Sequence, residues 1–414
     1  MKSLLLLLFV AFSILSVHAD VSIPDIIGSS MVLQQKQITP IWGTAEPGEA
    51  VTVTFGKRKK TVVADTNGKW HVALDKMPAD FTPQTMIISG KNKIELTNIL
   101  VGEVWLVAGQ SNMQRLLRET DNGEAAQAAA NHPNIRLFNV SREVAFKRRN
   151  GKLGEWAACT PESVKEFSAA GYYFGVELQK ELNVPIGLIN SSFGGSQAEA
   201  WTPVEYLNAS DELRPTVERT KIWDAERAKV RVDYGEAIKK WRDDSARQTA
   251  AGARPSPSPA VPDALREYRI ASSIYTGMIE PLIPFAIRGA VWYQGESNEG
   301  RAEQYGLLLP TMIRAWRERW GEGNFPFGIV QLPNYRSIKS DPEEAPWSFI
   351  REAQRRTAIT TPDTGLIVTI DIGAANDIHP KNKLDVGRRM ARWALEGVYG
   401  RKLTTGPVLA KAEV

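Results

Sequence analysis

The sequence contains few of the residues that cross-link exported proteins or bind metals. A single cysteine, Cys159, among 414 residues excludes an internal disulfide, so the fold must be stabilised by core packing. Of the four histidines, His18 lies in an N-terminal apolar run, which leaves His71, His132 and His379 for the rest of the chain. So few cysteines and histidines disfavour a zinc site. Any histidine that acts as a base must be one of these three residues.

The net charge of the chain does not indicate a charged partner. The chain has 51 lysines and arginines against 47 aspartates and glutamates, which gives a formal net charge of +4. Its basic clusters, 57–60 and 147–149, lie beside glycines, as is typical of solvated turns. There is no internal repeat and no phosphate-binding G-x-x-x-x-G-K loop. We therefore expect no nucleic-acid partner.

The first nineteen residues have the pattern of a secretory signal peptide. Lys2 supplies a positive charge, 4–17 form an apolar run, and Val17-His18-Ala19 resembles an A-x-A cleavage site. The run is short for a membrane span. We expect 1–19 to be removed and the mature chain to be exported to the periplasm, the medium or the cell surface, with no membrane attachment after cleavage.

The remaining chain divides into regions of different texture. Short β-like runs separated by turn signals predict a small β-sandwich-like accessory domain over 20–100. Alternating strands and helical patterns over 101–400 predict an α/β domain with a mostly parallel sheet. A charged, proline-rich stretch at about 211–269 predicts a helical insertion, which forms a lid or only covers surface. We expect 401–414 to be a C-terminal tail or the start of a truncated β region.

Four polar motifs follow predicted strands of the α/β region. The predicted strands are 104–108, 135–140, 185–190, 287–293, 326–332 and 365–371. The motifs are G-Q-S-N-M at 109–113, S-S-F-G-G-S at 191–196, Q-G-E-S-N at 294–298 and D-I-H-P at 377–380. Because the carboxyl ends of parallel strands share one edge of a sheet, we expect the four motifs to converge.

The motifs supply the groups that acyl transfer by an activated serine requires. Ser111 lies two residues past the strand break at Gly109, as expected of a nucleophile, although a helix cap is the alternative. His379 is the expected base and Asp377 the acid that orients it, with Glu296 as a rival acid. A metal could instead be bound by Asp371, Asp377 and His379. A zinc site with a single histidine and no cysteine would be unusual, and we expect no metal.

The same motifs supply donors for an oxyanion. We expect these to be the Ser111 N–H, a glycine N–H from Gly194 or Gly195, and the side-chain amide of Gln294. A simple turn would also explain the two glycines, and a buried hydrogen-bond network would explain Gln294 with Glu296. Supporting roles are expected for three polar residues of the motifs: Gln110, Asn112 and Glu296.

These motifs resemble those of the sialate O-acetylesterases, a family of the SGNH hydrolase superfamily related to carbohydrate acetyl esterases. The resemblance rests on G-Q-S-N-M, N-S-S-F-G-G-S-Q-A-E-A-W, W-Y-Q-G-E-S-N and D-I-H-P, in that order. It implies a flavodoxin-like three-layer α/β/α domain, with Ser111 as nucleophile, His379 as base and no cofactor. It further implies an exported esterase that removes O-acetyl groups from sialic acids, chiefly at the 9 position, through an acetyl-serine intermediate.

Two other functions stay open on the sequence alone. The same chemistry could act on acetyl xylan or another polysaccharide, and a carbohydrate-binding protein could keep the fold without catalysis. A sialic acid carries a carboxylate, which calls for a cation near the site. Arg115, Arg118 and Arg301 lie within a few residues of the motifs and are the candidates.

Overall fold

The computed structural model describes residues 20–144, 151–341 and 344–403. The predicted signal peptide, the basic cluster at 147–149 and most of the predicted C-terminal tail lie outside these residues. Within them, no helix combines the length and the apolar character that crossing a membrane would require.

The N-terminal region is built from strands and turns. Its strands are β1 (Val32–Gln34), β2 (Thr39–Thr44), β3 (Ala50–Phe55), β4 (Arg58–Val63), β5 (Lys69–Leu74), β6 (Asp80–Ser89) and β7 (Lys93–Gly109). Antiparallel pairs join β2 to β5, β3 to β4 and β6, and β6 to β7. The 17-residue β7 continues into the central sheet, so both regions share one strand. The division at residue 100 therefore stays a prediction.

Helices and strands alternate after β7. The helices are α1 (Ser111–Gln114), α2 (Gly123–Ala128), α3 (Ala169–Leu182), α4 (Val204–Asn208), α5 (Arg214–Ala250), α6 (Ala302–Trp320), α7 (Pro346–Thr360) and α8 (Lys383–Gly397). The strands are β8 (His132–Asn139), β9 (Trp156–Cys159), β10 (Ile186–Ser192), β11 (Gly289–Tyr293), β12 (Phe327–Val330) and β13 (Thr364–Ile367).

The central sheet is mostly parallel, as predicted. Its parallel strands run in the order β8-β10-β7-β11-β12-β13, and β9 pairs antiparallel with β8 at the edge. Counted along the chain, this order is 2-3-1-4-5-6, because β10 pairs with both β7 and β8. Without β8, the five strands β10-β7-β11-β12-β13 stand in the flavodoxin order 2-1-3-4-5, so this part of the sheet agrees with the flavodoxin-like expectation, and β8 and β9 extend it at one edge. The order reverses at β7, and such reversals place ligand sites at the strand's carboxyl end.

Helices cover both faces of this sheet. In β12, the Phe327 ring packs against Trp316 of α6, whereas a side chain at the next residue, Gly328, would meet Trp393 of α8. Successive strand residues point to opposite faces, so α6 and α8 lie on opposite sides of the sheet. Helix α3 packs on α8 and α7 packs on α6. The result is the expected three-layer arrangement.

Edge-to-face tryptophans fill both interfaces between sheet and helices. Trp105 of β7 meets Trp393 of α8 at a centroid distance of 5.9 Å. On the other face, Trp292 of β11 lies between Trp201 and Trp316, at 5.3 and 5.8 Å. Such pairs contribute about 0.5–1.5 kcal/mol each beyond the area they bury. They provide a rigid base for the loops at the strand ends.

The predicted insertion at 211–269 consists of α5 and a return segment. The base of α5 is tied to the core, because Arg219 Nη2 lies 2.6 Å from an oxygen of the fully buried Glu199. The return segment ends beside the loop after β10, where the Tyr268 ring stacks on Phe193 at 4.9 Å. The end of the insertion is therefore part of the surface around that loop.

Candidate active site

The G-Q-S-N-M and Q-G-E-S-N motifs lie side by side because β7 and β11 are adjacent parallel strands. Strand β7 ends at Gly109, where φ is +144° and a Cβ atom would lie 2.1 Å from the Tyr293 carbonyl oxygen. Only glycine fits this close approach. Immediately beyond it, Gln110 Oε1 accepts a hydrogen bond from the Ser297 N–H at 3.2 Å. The expected convergence of these two motifs is confirmed.

Ser111 and His379 are in hydrogen-bond contact. The Ser111 Oγ and His379 Nε2 atoms are 2.8 Å apart, although 268 residues separate them along the chain. Burial lowers the pKa of His379, the positive charge of Arg115 lowers it further, and Asp377 acts in the opposite direction. The imidazole is therefore kept neutral near pH 7, the state that can accept a proton from the serine.

Asp377 lies near this histidine, but without a short bond to the ring. Its Oδ1 atom is 3.8 Å from His379 Nδ1 and accepts a hydrogen bond from the His379 backbone N–H at 2.8 Å. The rival acid, Glu296, is buried and accepts from Asn112 Nδ2 at 2.6 Å. Of the two carboxylates, Asp377 is the one within ion-pair distance of the ring.

The loop after β10 lies directly against the serine. A Cβ atom on Gly194 would be 3.4 Å from Ser111 Cβ, and Gly195 has a φ of +74°. The Gly194 N–H is already donated to Gln114 Oε1 at 2.6 Å. The N–H groups of Ser111 and Gly195, by contrast, have no acceptor in the described part of the chain. The N–H of Ser111 itself and that of Gly195 are thus available to a ligand.

The structure does not support the predicted oxyanion role of Gln294. Its side chain is fully buried, and Nε2 donates to Asn298 Oδ1 at 2.7 Å and to the Ser196 carbonyl at 3.3 Å. Both amide hydrogens are therefore used. Asn298 in turn donates to Glu199 at 2.9 Å, so the alternative expectation, a buried polar network, describes Gln294.

Asn112 connects the serine loop to two other motifs. Its Nδ2 atom donates to Glu296 Oε1 at 2.6 Å and to the Ile378 carbonyl at 2.9 Å. Its Oδ1 atom accepts from Lys383 Nζ at 2.6 Å. The residue after the serine thus holds the residue before the histidine, which accounts for the meeting of the G-Q-S-N-M and D-I-H-P motifs.

Sequence reasoning missed Lys383, the first residue of α8. Its side chain is fully buried, and Nζ lies 5.2 Å from the centroid of the Tyr293 ring. Burial lowers the pKa of Lys383 to about 7, against the opposing effect of Glu296. Burial also raises the pKa of Glu296. The one signal available in the sequence was the position of Lys383, four residues after His379.

The three candidate arginines have different surroundings. Arg118 forms an exposed ion pair at 2.8 Å, and Arg301 pairs with the buried Glu199 at 2.7 Å. Arg115 lies close enough to lower the pKa of His379. Its Nε atom lies 3.8 Å from Glu119 Oε2. Of the three arginines, Arg115 is therefore the candidate cation for the site.

A cavity of about 660 Å³ opens beside Gly195. The stacked rings of Phe193 and Tyr268 form part of its wall. The other lining residues belong to 142–144 and to 261–269. Neither Ser111 nor His379 is among the lining residues, and Gly195 connects the cavity to the loop that lies against the serine. The return segment of the insertion contributes to the opposite part of the lining.

The structure gives no support to the alternative metal site. Asp371 forms a two-bond ion pair with Arg389, at 2.6 and 2.7 Å. Over 20–144, 151–341 and 344–403, no three histidine, cysteine or acidic side chains are grouped as metal ligands.

Known proteins resemble this chain in sequence, and a solved structure also resembles it in fold. A family model described as carbohydrate esterase, sialic acid-specific acetylesterase, matches residues 101–251 and 260–396. The sialate O-acetylesterases of Mus musculus and Homo sapiens are each 29% identical to the chain across 94% of its length, and the match covers 76% and 73% of their own lengths. A carbohydrate acetylesterase from Xanthomonas citri has a TM-score of 0.75 and 33% identity, covering 92% of this chain and 76% of that one.

Proposed function

Because the chain belongs to the sialic acid-specific acetylesterase family of carbohydrate esterases, and is thus a carboxylic ester hydrolase, we propose that it deacetylates sialic acids. The proposed substrates carry O-acetyl groups chiefly at the 9 position, and the enzyme works after export. The observation that carries the proposal is the 2.8 Å contact between Ser111 Oγ and His379 Nε2 at a strand end. This pair is what an acetyl-serine mechanism requires.

In the first step, Ser111 Oγ attacks the acetyl carbonyl carbon while His379 Nε2 takes the hydroxyl proton. The carbonyl oxygen becomes an oxyanion, and the N–H groups of Ser111 and Gly195 are the proposed donors because both lack other acceptors in the described chain. His379 then gives its proton to the sugar oxygen as the carbon–oxygen bond breaks. The sugar alcohol leaves, and the acetyl group stays on the serine.

In the second step, water replaces the sugar. His379 takes a proton from the water as its oxygen attacks the acetyl-serine, and returns a proton to Ser111 Oγ when acetate leaves. Asp377 Oδ1, at 3.8 Å from Nδ1, stabilises the imidazolium that forms in each step. Its bond to the His379 backbone N–H also holds the D-I-H turn in place.

Two features support an acidic sugar as the substrate. The cavity of about 660 Å³ beside Gly195, on the loop after β10, is large enough for a monosaccharide. Arg115 lies near His379, and we assign it the carboxylate of the sialic acid.

A wider substrate range is the second candidate. The Xanthomonas citri relative, at 33% identity, is described only as a carbohydrate acetylesterase. The same mechanism would serve an acetyl xylan or another acetylated polysaccharide. A carbohydrate-binding protein without catalysis is disfavoured, because binding needs no contact between a serine and a histidine.

The test is acetate release by the purified protein from 9-O-acetylated sialic acid and from acetylated xylan, with Ser111→Ala as the control. We expect release from the sialic acid, and loss of at least about 10³-fold in kcat for the variant. Release mainly from xylan would keep the mechanism and change the substrate. Full activity of Ser111→Ala on an aryl acetate would refute the mechanism.

A further inference from the structure

A buried ammonium group lies beside the Ser111–His379 pair, and the mechanism above does not use it. Lys383 has no exposed surface, and its Nζ contacts Asn112 Oδ1 at 2.6 Å and the Tyr293 ring at 5.2 Å. Removing such a group from water is unfavourable unless hydrogen bonds and opposite charges compensate. A hydrophobic residue would be the less costly choice at a position that only fills space.

Lys383 determines which way the Asn112 amide points. Since the pKa of Lys383 is about 7, its amine is protonated at lower pH. In that state it can only donate hydrogen bonds, so it must face the amide oxygen and not the amide nitrogen. This leaves Nδ2 to donate to Glu296 and to the Ile378 carbonyl, at 2.6 and 2.9 Å. A flipped amide would place its N–H groups against the ammonium and leave the Ile378 carbonyl without this donor. The lysine therefore selects the amide orientation that holds the histidine loop.

We propose that Lys383 is a positioning residue, which acts through Asn112 to hold the Ile378–His379 segment so that Nε2 stays in contact with Ser111 Oγ. The proposal deepens the proposed function, and it rests on His379 being the base. It assigns the network of Lys383, Asn112 and Glu296 to catalysis by alignment, without any contact with the substrate.

The charges around this network also affect the pKa of His379, which can be measured separately from kcat. Lys383 is faced by Glu296 from the loop after β11, by Asp377 from the histidine loop and by Arg115 from the end of α1. Burial lowers the pKa of His379 most, and the charge of Lys383 also contributes to the lowering. Removing the ammonium should therefore raise the pKa of His379.

The test compares Lys383→Met, which keeps most of the side-chain volume, with Lys381→Met, an exposed lysine of the same segment, as the matched control. We expect kcat of Lys383→Met to fall by roughly 10²-fold, as for a base displaced by about 1 Å, with little change in KM. The acid limb of its kcat/KM profile should move to higher pH. The control should match the wild type in all three quantities.

Two further measurements keep the test decisive. The His379 ring is titrated by NMR without substrate, and we expect a higher pKa in Lys383→Met. Lys383→Gln, which restores a donor without the charge, covers the case in which the methionine variant does not fold. We expect it to recover part of kcat while keeping the displaced acid limb. A wild-type kcat and pH profile in both variants would overturn the proposal, and so would lost stability with an unchanged His379 pKa.

Failure of the proposal for Lys383 can be distinguished from failure of the serine mechanism. An active Ser111→Ala would remove the proposed function, whereas an inactive Ser111→Ala combined with fully active, unshifted Lys383 variants would remove only the role of the lysine.

Discussion

Replacing Asp377 with asparagine should slow this enzyme only modestly, in contrast to a buried triad aspartate. The carboxylate is 3.8 Å from His379 Nδ1, and its side chain is 43% exposed. Coulomb's law at this separation gives about 1 kcal/mol in a water-like dielectric and about 4 kcal/mol at an effective dielectric near 20. The exposure favours the lower value, because solvent screens such pairs.

A loss of about 1 kcal/mol corresponds to roughly a fivefold decrease in kcat. The asparagine oxygen can still accept from the His379 N–H, so the D-I-H turn should keep its shape. Since Asp377 raises the pKa of His379, its neutralisation should lower that pKa and move the acid limb of the kcat/KM profile to lower pH.

The assay is steady-state hydrolysis of an aryl acetate between about pH 5 and 9, with Asp371→Asn, which alters an aspartate paired with Arg389, as the control. A decrease of about 10⁴-fold, as seen for a buried triad aspartate, would contradict this reasoning. It would mean that Asp377 closes onto Nδ1 in the working enzyme. An acid limb that moves to higher pH would refute the electrostatic assignment.

Two further substitutions test the assignments of Arg115 and Gln294. At about pH 8, Arg115→Gln should raise KM for 9-O-acetylated sialic acid by roughly 10-fold or more, because a hydrogen bond between two charged groups is lost. The KM for an aryl acetate, which has no carboxylate, should be nearly unchanged. Equal effects on both substrates would exclude a contact with the carboxylate. Gln294→Met should lower the free energy of unfolding by about 1–3 kcal/mol, because Asn298 and Ser196 lose a buried donor, with less than about a 10-fold change in kcat. Urea unfolding and kinetics on the same preparation measure both effects, and a 10²-fold loss of kcat at unchanged stability would restore the oxyanion role to Gln294.

The general position of the site could be predicted because one rule of parallel sheets connects distant motifs. The apolar run at 104–108 and the break at Gly109 place Ser111 at a strand end, and the same reasoning places the residues after β10 and β11. The shared edge also places the chain after β13 on the same side of the sheet, while the contact between Ser111 and His379 depends on the loop that Asn112 holds. Placing these groups at one edge did not require knowledge of the strand order.

The order of the strands and the directions of polar side chains could not be predicted in this way. Hydrophobic runs of similar length do not show that β10 lies between β7 and β8. A glutamine after a strand can face the ligand or the core, and the positions of Asn298 and Ser196 decide this for Gln294. The burial of Lys383 depends likewise on the positions of Asn112 and Tyr293, which no local pattern around residue 383 encodes.

The shared strand β7 has a consequence for how this protein can be rearranged. Its register is set in both regions, for example by β1, where Leu100 pairs with Val32, and by β10, where Trp105 pairs with Leu188. A slip of one residue at either place would turn every side chain of the strand to the wrong face and shift Ser111 along its axis. The pairing of the N-terminal strands with β7 therefore helps to determine how far Ser111 lies beyond the end of the sheet. These strands cannot be replaced as a unit by strands of another protein unless the replacement reproduces their pairing with β7 residue by residue.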